Sequence, residues 1–215
     1  ASTMVTLDQP ALPPGGVITD PRPRAVTVAL AAGTDDDVAA SWASLVGLPD
    51  DALATLAPID EVAIVAIPGA TSQQAHQSIV AHCELLGDRV AVLDSTRGLA
   101  PVDVTTEAAL AAGTNRGFGA LYYPWIRVMN PTTREPELWP PSAHLAGVYA
   151  RTDTERGVHK APANTTIRGA LGLERRLTDA DQDLLNPAGV SALRIPPNGG
   201  APVVWGARTT TTQDR

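Results

Sequence analysis

The chain has 215 residues, of which 44% are hydrophobic and 18% charged, an ordinary balance for a globular protein. Acidic residues outnumber basic ones and give a net charge of -7, which argues against general nucleic-acid binding because that function needs a basic face. The single cysteine, Cys83, excludes an intramolecular disulfide and a cysteine zinc cluster. The sequence has no signal-peptide pattern and no apolar run of the ~20 residues that span a bilayer. We therefore expect cytosolic synthesis and no direct membrane insertion.

Residues 1–58 are predicted to form a connector and an outer or insertion segment. Prolines and glycines crowd residues 10–23 and leave little room for a helix. A short strand is predicted at 26–30, and a helix after Asp35–Asp37, whose negative charge suits a helix N-terminus. We expect a small α+β insertion or outer domain on the N-terminal side.

A βαβαβ pattern follows, in which apolar runs alternate with helical periodicity. Thr71 and Gln74 predict a capping box for the first helix, and Gly87 predicts its end. The fold class is therefore α/β, a parallel-containing sheet flanked by helices. The predicted strands are 62–67, 89–93 and 120–123, and the second helix is 103–112.

The sequence changes character after Pro124. Gly147, inside a predicted helix, costs roughly 1 kcal/mol relative to alanine and predicts close backbone packing. Thr178 and Asp181 predict a second capping box. Along the chain we predict a proline-rich loop at 129–141, a helix from Pro141–Ser142 to Gly157, a strand at 167–173, a short helix ending at Asn186, strands at 192–195 and 202–206, and a frayed tail at 209–215.

Polar residues at the ends of the predicted strands offer an enzyme hypothesis. Ligands of parallel sheets favour the carboxyl ends of the strands, where Thr71 and Asp94 would present a hydroxyl and a carboxylate. Caps and turns use the same residue types, and no nucleotide-binding or nucleophile-elbow motif is present. We expect His76 and His82 to be surface or half-buried, Cys83 to be a packed thiol, and the protein to have no metal or cofactor.

The most specific signal is a set of phrases in fixed order: EVAIVAIPG (61–69), YYPWIRV (122–128), WPPSAHLAGVYARTDTERGVHKAPAN (139–164), LNPAGVSALR (185–194) and VVWGART (203–209). Together they strongly resemble the tail sheath proteins of contractile phages and contractile injection systems. The resemblance is good over roughly 60–209 and faint before that. Ala143 and Ser191 depart from the family pattern, where glycine and asparagine are usual.

The resemblance implies a structural protein and no enzyme activity. Family members polymerise in hexameric rings around an inner tube and contract to drive it through a target envelope. The implied partners are other sheath subunits, the inner tube protein, and baseplate and tail-terminator proteins, with no nucleic acid. Assembly is expected in the bacterial cytoplasm, as part of a phage tail or tail-like particle. No protease triad can be carried over to this sequence.

The family phrases also supply the candidate site residues, as structural motif positions or subunit contacts. The charged group that Arg151 and Asp153 begin is expected to pair internally or across a subunit contact, two alternatives that the sequence leaves open. The tryptophans are expected to anchor loops by packing in the core. The candidates are Tyr123, Pro124, Trp125, Pro140, Pro141, Arg151, Asp153, Arg156, Gly157, Lys160, Pro162, Asn186, Trp205 and Arg208.

We expect residues 59–215 to form the sheath middle α/β domain, as a fragment that lacks the N-terminal arm and the C-terminal polymerising domain. Those missing ends exchange strands between neighbours in the family, so the chain alone should be a monomer or weak oligomer. Two other hypotheses compete: a hydrolase-like enzyme with its site near Thr71 and Asp94, and a surface-displayed binding module that uses 1–58.

Overall fold

A computed structural model describes residues 52–112 and 116–211. A short 3-10 helix (Ala52–Leu56) comes first. The strands are β1 (Ile64–Ala66), β2 (Val90–Asp94), β3 (Gly119–Tyr123), β4 (Ile126–Met129), β5 (Pro136–Trp139), β6 (Thr165–Thr166), β7 (Ala170–Leu173), β8 (Val190–Arg194) and β9 (Val203–Val204). The α-helices are α1 (Gln73–Leu86), α2 (Pro101–Ala111), α3 (Ser142–Arg156) and α4 (Asp179–Leu185).

The main sheet has six strands in the order β1-β2-β3-β8-β9-β6. Strands β1, β2, β3 and β8 are parallel, and β9 and β6 are added antiparallel at one side. The predicted α/β class with a parallel-containing sheet is confirmed. The predicted strand at 26–30 and the helix after Asp35–Asp37 lie outside the described residues.

Both faces of the main sheet are covered, because neighbouring residues of its central strands enter two different cores. Leu93 and Leu121 pack in a core with α1, α2 and α4. Val92 and Tyr122 pack in a second core with α3 and the small sheet. All five residues of β3 are buried, which explains why these strands read as continuous apolar runs.

The helix boundaries follow local capping chemistry. Ser72, and not the predicted Thr71, is the N-cap of α1, and its hydroxyl accepts from Ala75 N at 3.2 Å. The prediction at Thr71 was wrong by one residue, because only Ser72 has extended backbone directly before the helix. Gly87 ends α1 with φ +75°, as predicted. The capping box of Thr178 and Asp181 at α4 is confirmed.

A second, three-stranded antiparallel sheet has the order β5-β4-β7. Most of the predicted loop 129–141 therefore belongs to a hairpin, and that prediction was wrong. The turn between β4 and β5 is held by Asn130, whose Oδ1 accepts from Thr132 N at 2.8 Å. Its Nδ2 donates to Glu137 across the hairpin at 2.8 Å. The prolines hid this pairing, since Pro136 lies at the first position of β5, where a proline is tolerated.

Two further predictions were wrong. A Cβ on Gly147 would meet nothing within 4 Å, so no close packing requires the glycine. The predicted fraying of 209–215 is wrong for the start of that tail, because Thr210 is buried and its N–H donates to Gly119 O at 2.8 Å. Residues 212–215 lie outside the described residues. In the described part of the chain, no helix has the length and apolarity to cross a membrane.

Candidate functional site

Asp94 lies at the carboxyl end of β2 and is fully buried. Its Oδ1 accepts from Ser142 N at 2.7 Å, and its Oδ2 accepts from Ser142 Oγ at 2.6 Å and from Gly69 N at 3.0 Å. Burial raises the pKa of Asp94 above its usual range, and the three hydrogen bonds oppose that rise. The carboxylate therefore ties the turn after β1 to the first residue of α3.

The loop after β2 is also held by Glu107 of α2. Its Oε1 accepts from Thr96 N at 2.9 Å and from Thr96 Oγ1 at 2.7 Å. Burial raises the pKa of Glu107, and the bonds from Thr96 oppose that rise. Thr71 contributes its carbonyl, 3.5 Å from Thr96 Oγ1, and lines with Glu107 a shallow cavity of about 380 Å³. Glu107 was not among the predicted site residues, because only the packing of α2 brings it to the strand end.

These hydrogen bonds show that Asp94 and Glu107 hold the loops and helix ends next to β2 in place. Asp94 bonds two backbone N–H groups, and no hydrogen bond joins it to Thr71 in the described structure. Ser142 Oγ does donate to Asp94 Oδ2, but both side chains are fully buried and closed to a substrate. The hydrolase alternative is therefore not supported. Among residues 52–112 and 116–211, no group of three or more histidine, cysteine or carboxylate side chains is placed to hold a metal ion.

The two α1 histidines and Cys83 are all buried, so the prediction that His76 and His82 are surface or half-buried side chains was wrong. His76 Nε2 lies 3.0 Å from Asp94 O, and burial lowers its pKa. Helix α1 turns these positions toward the sheet together with Ile79. Cys83 is fully buried in the core, which confirms a packed thiol, and burial raises its pKa to about 12.

The Tyr123–Trp125 segment follows β3 and joins the two sheets. Its first peptide bond, between Tyr123 and Pro124, is cis. Tyr123 Oη donates to Leu99 O at 2.8 Å, and Trp125 Nε1 donates to Ser95 O at 2.7 Å. The segment thus anchors to the loop after β2.

Trp139 and Trp205, the two other tryptophans in the described part of the chain, differ in burial. Trp139 is half-buried against the second core, as expected of an anchor. Trp205 is 42% exposed, so the expectation of core packing was wrong there. The Arg194 guanidinium lies 5.2 Å from the Trp205 ring centroid, a cation–π contact.

Helix α3 is bounded by family-phrase residues. Pro141, buried beside the half-buried Pro140, precedes its first residue. Gly157 ends it with φ +91°, and its N–H donates to Asp153 O at 3.0 Å. Pro162 is half-buried in the loop that leads to β6.

The charged residues after the middle of α3 surround a cavity of about 700 Å³, which we call the basic cavity. Arg151 Nη2 donates to Thr166 O at 2.7 Å, and Lys160 Nζ donates to Ala161 O at 3.2 Å. The predicted alternative of internal ion pairs within this group is not found in the described structure. The lining is Arg151, Thr152, Glu155, Arg156, Lys160, Ala163, Asn164, Thr165, Thr166 and Arg168.

Asn186 and Arg208 are brought together at the end of α4. Asn186 Oδ1 accepts from Arg208 Nε at 3.2 Å. The Arg208 backbone also pairs with Ser191, whose Oγ accepts from Arg208 N at 3.1 Å. These contacts hold the segment after β9 against β8.

The fold is a mixed α/β domain in which the carboxylates of Asp94 and Glu107 accept hydrogen bonds from backbone N–H groups. A sequence profile of the phage tail sheath protein central domain matches residues 49–210. The chain therefore belongs to the phage tail sheath protein family, and the described fold is its central domain.

Relatives agree with this assignment. The prophage major tail sheath protein of Pseudomonas aeruginosa strain UCBPP-PA14 is 29% identical over 160 residues, which are 71% of this chain and 39% of the relative. The contracted helical sheath of the anti-feeding prophage is 32% identical with a TM-score of 0.59, over 80% of this chain and 44% of that one. The contracted PVC sheath complex of an extracellular contractile injection system is also 32% identical, with a TM-score of 0.60, over 73% and 42%. The chain thus spans less than half the length of these relatives.

Proposed function

We propose that the chain is a structural sheath subunit of a contractile tail-like particle. It polymerises with other subunits in hexameric rings around an inner tube and contracts to drive the tube through a target envelope. The observation that carries the proposal is the match of the sheath central domain to residues 49–210, which contain the whole described fold. Similarity to two sheaths in the contracted state, each at 32% identity, supports it.

The chemistry of the strand ends supports a mechanical role. The carboxylate oxygens of Asp94 and Glu107 accept hydrogen bonds from backbone N–H groups and hydroxyls. Such bonds fix the approach of helices to the sheet, which suits a domain that moves as a rigid body. No enzyme activity is part of this proposal.

We assign residues 59–215 to the middle domain and 1–58 to a connector and outer segment. The candidate subunit contacts are the exposed residues of the family phrases, chiefly the basic cavity and Trp205. Further partners are the inner tube protein and the baseplate and tail-terminator proteins. Assembly takes place in the bacterial cytoplasm.

The test is negative-stain electron microscopy of the full-length gene product, coexpressed with its neighbouring inner-tube protein. Hollow, striated cylinders wider than the bare tube are the expected result, and the tube protein expressed alone is the control. Bare tubes and discrete particles under every condition tested would overturn the proposal.

A further inference from the structure

The basic cavity concentrates positive charge beside an edge of the main sheet. Strand β6 is the last strand on its side of the sheet, and the C-terminal half of α3 forms the facing wall. Three guanidinium groups and one ammonium group line the cavity, against a single carboxylate, that of Glu155.

The cations of the cavity have no carboxylate partner in the described structure. Arg151 and Lys160 bond to backbone carbonyls, and Arg156 and Arg168 are exposed. Some arginines elsewhere do have a carboxylate partner: Arg89 pairs with Asp88 at 2.7 Å and Arg194 with Asp179 at 2.8 Å. Within residues 52–112 and 116–211, the cavity therefore carries an excess of positive charge, on a chain whose net charge is -7.

The sequence contains one run of three consecutive acidic residues, Asp35–Asp37. Carboxylates match guanidinium groups in geometry as well as in charge, because one carboxylate accepts two parallel N–H donors.

We propose that the basic cavity binds the Asp35–Asp37 carboxylates of a second copy of this chain. The inference rests on the proposed function and names a partner for one of its contact surfaces. Because the acidic run and the cavity are different parts of the chain, the contact is head-to-tail. Contacts of that kind propagate into rings or helices and do not stop at a dimer.

Charge reversal tests this contact in the 215-residue chain. The cavity variant carries Arg156→Glu and Arg168→Glu, and the run variant carries Asp35→Lys, Asp36→Lys and Asp37→Lys. A matched control carries Arg175→Glu and Arg176→Glu, at two exposed positions that precede α4. Sedimentation velocity over a concentration series at low ionic strength measures self-association, and circular dichroism verifies the fold. Arg156→Gln with Arg168→Gln replaces the cavity variant if reversal prevents folding.

We expect each reversal variant to self-associate about tenfold to a hundredfold more weakly than wild type, as for the loss of two or three exposed ion pairs. An equimolar mixture of the two variants should regain wild-type association, because the basic run of one then meets the acidic cavity of the other. Salt at ~1 M should weaken the wild-type contact, since the Debye length falls to ~3 Å.

Several outcomes would overturn the inference. They are a wild-type chain that is monomeric at every concentration, a cavity variant that associates like wild type, or a mixture that stays monomeric. A mixture that stays monomeric would mean that the acidic run binds within its own chain or that the cavity binds another anion. Sedimentation needs no assembled sheath, so the two proposals can fail separately. If microscopy shows cylinders but the mixture of variants does not associate, this contact is wrong and the proposed function stands.

Discussion

At the scale of single residues, one carboxylate organises the junction of three elements. Asp94 ends β2, fixes the turn after β1 through Gly69, and starts α3 through Ser142. Helix α3 has no capping side chain of its own, since Pro141 precedes it. The Asp94 carboxylate supplies the negative charge that a helix N-terminus favours.

We predict that Asp94→Ala destabilises the fold. It leaves the N–H groups of Ser142 and Gly69 without an acceptor, and a buried unsatisfied donor costs about 1 to 3 kcal/mol. The free energy of unfolding should fall by about 3 kcal/mol or more in urea denaturation. Asp183→Ala, an exposed aspartate of α4, is the control and should shift it by less than about 0.5 kcal/mol. A loss below about 1 kcal/mol for Asp94→Ala would contradict the role.

Glu107 gives a pH-dependent prediction. Burial raises its pKa in the folded state, so the folded protein keeps this proton to higher pH than the unfolded chain. Stability is therefore lost as pH rises from about 4.3, the ordinary glutamate pKa, through the raised folded value. Glu107→Gln retains an acceptor for Thr96 and does not ionise. Its free energy of unfolding, relative to wild type, should rise with pH across that window.

The measurement is urea denaturation of both proteins at a series of pH values. Asp94 is present in both, so its own titration cancels in the difference. Glu135→Gln, in the exposed hairpin turn, controls for the loss of one charge. A difference between Glu107→Gln and wild type that stays constant with pH, or falls as pH rises, would contradict the assignment.

At the scale of elements, two glycines predict opposite effects of the same substitution. Gly147 lies inside α3, and a Cβ there meets nothing within 4 Å, so Gly147→Ala should stabilise the protein by about 0.5 to 1 kcal/mol. Gly189 has φ +81°, and a Cβ there would lie 2.6 Å from Thr209 O. Gly189→Ala should destabilise by more than about 1 kcal/mol. Thermal unfolding of both variants checks the pair, and equal signs would contradict it.

The main sheet and its helices were predictable from sequence because their signals are local. The run at 62–67, the Gly87 stop and the Thr178–Asp181 capping box each depend on a few neighbouring residues. The β4–β5 hairpin was not predictable, since each of its strands has only four residues and β5 begins at Pro136. The basic cavity was predicted only in part. The cavity residues of α3 all lie in the phrase at 139–164. Arg168 lies outside that phrase and comes to the cavity because β6, which precedes it, pairs with β9.

At the scale of the whole molecule, the segment after β9 closes the domain. Its Arg208 N–H bonds Ser191 Oγ, and Thr210 N bonds Gly119 O. A Cβ on Gly119 would lie 3.0 Å from Thr210 Oγ1, and a Cβ on Gly206 would lie 2.9 Å from Ser191 Cα. The segment thus packs directly on β3 and β8, the central parallel strands.

A chain ending at residue 206 should therefore be markedly less stable than one ending at 211. The shorter chain loses at least three hydrogen bonds at about 1 kcal/mol each and exposes the buried end of β3, so its free energy of unfolding should fall by about 3 to 5 kcal/mol. Urea denaturation compares the two truncated chains directly. Thr210→Val in the longer chain removes the hydroxyl but keeps the backbone bond to Gly119, and should cost much less than the truncation. Equal stability of the two truncated chains would mean that the last strands hold the sheet without this closure.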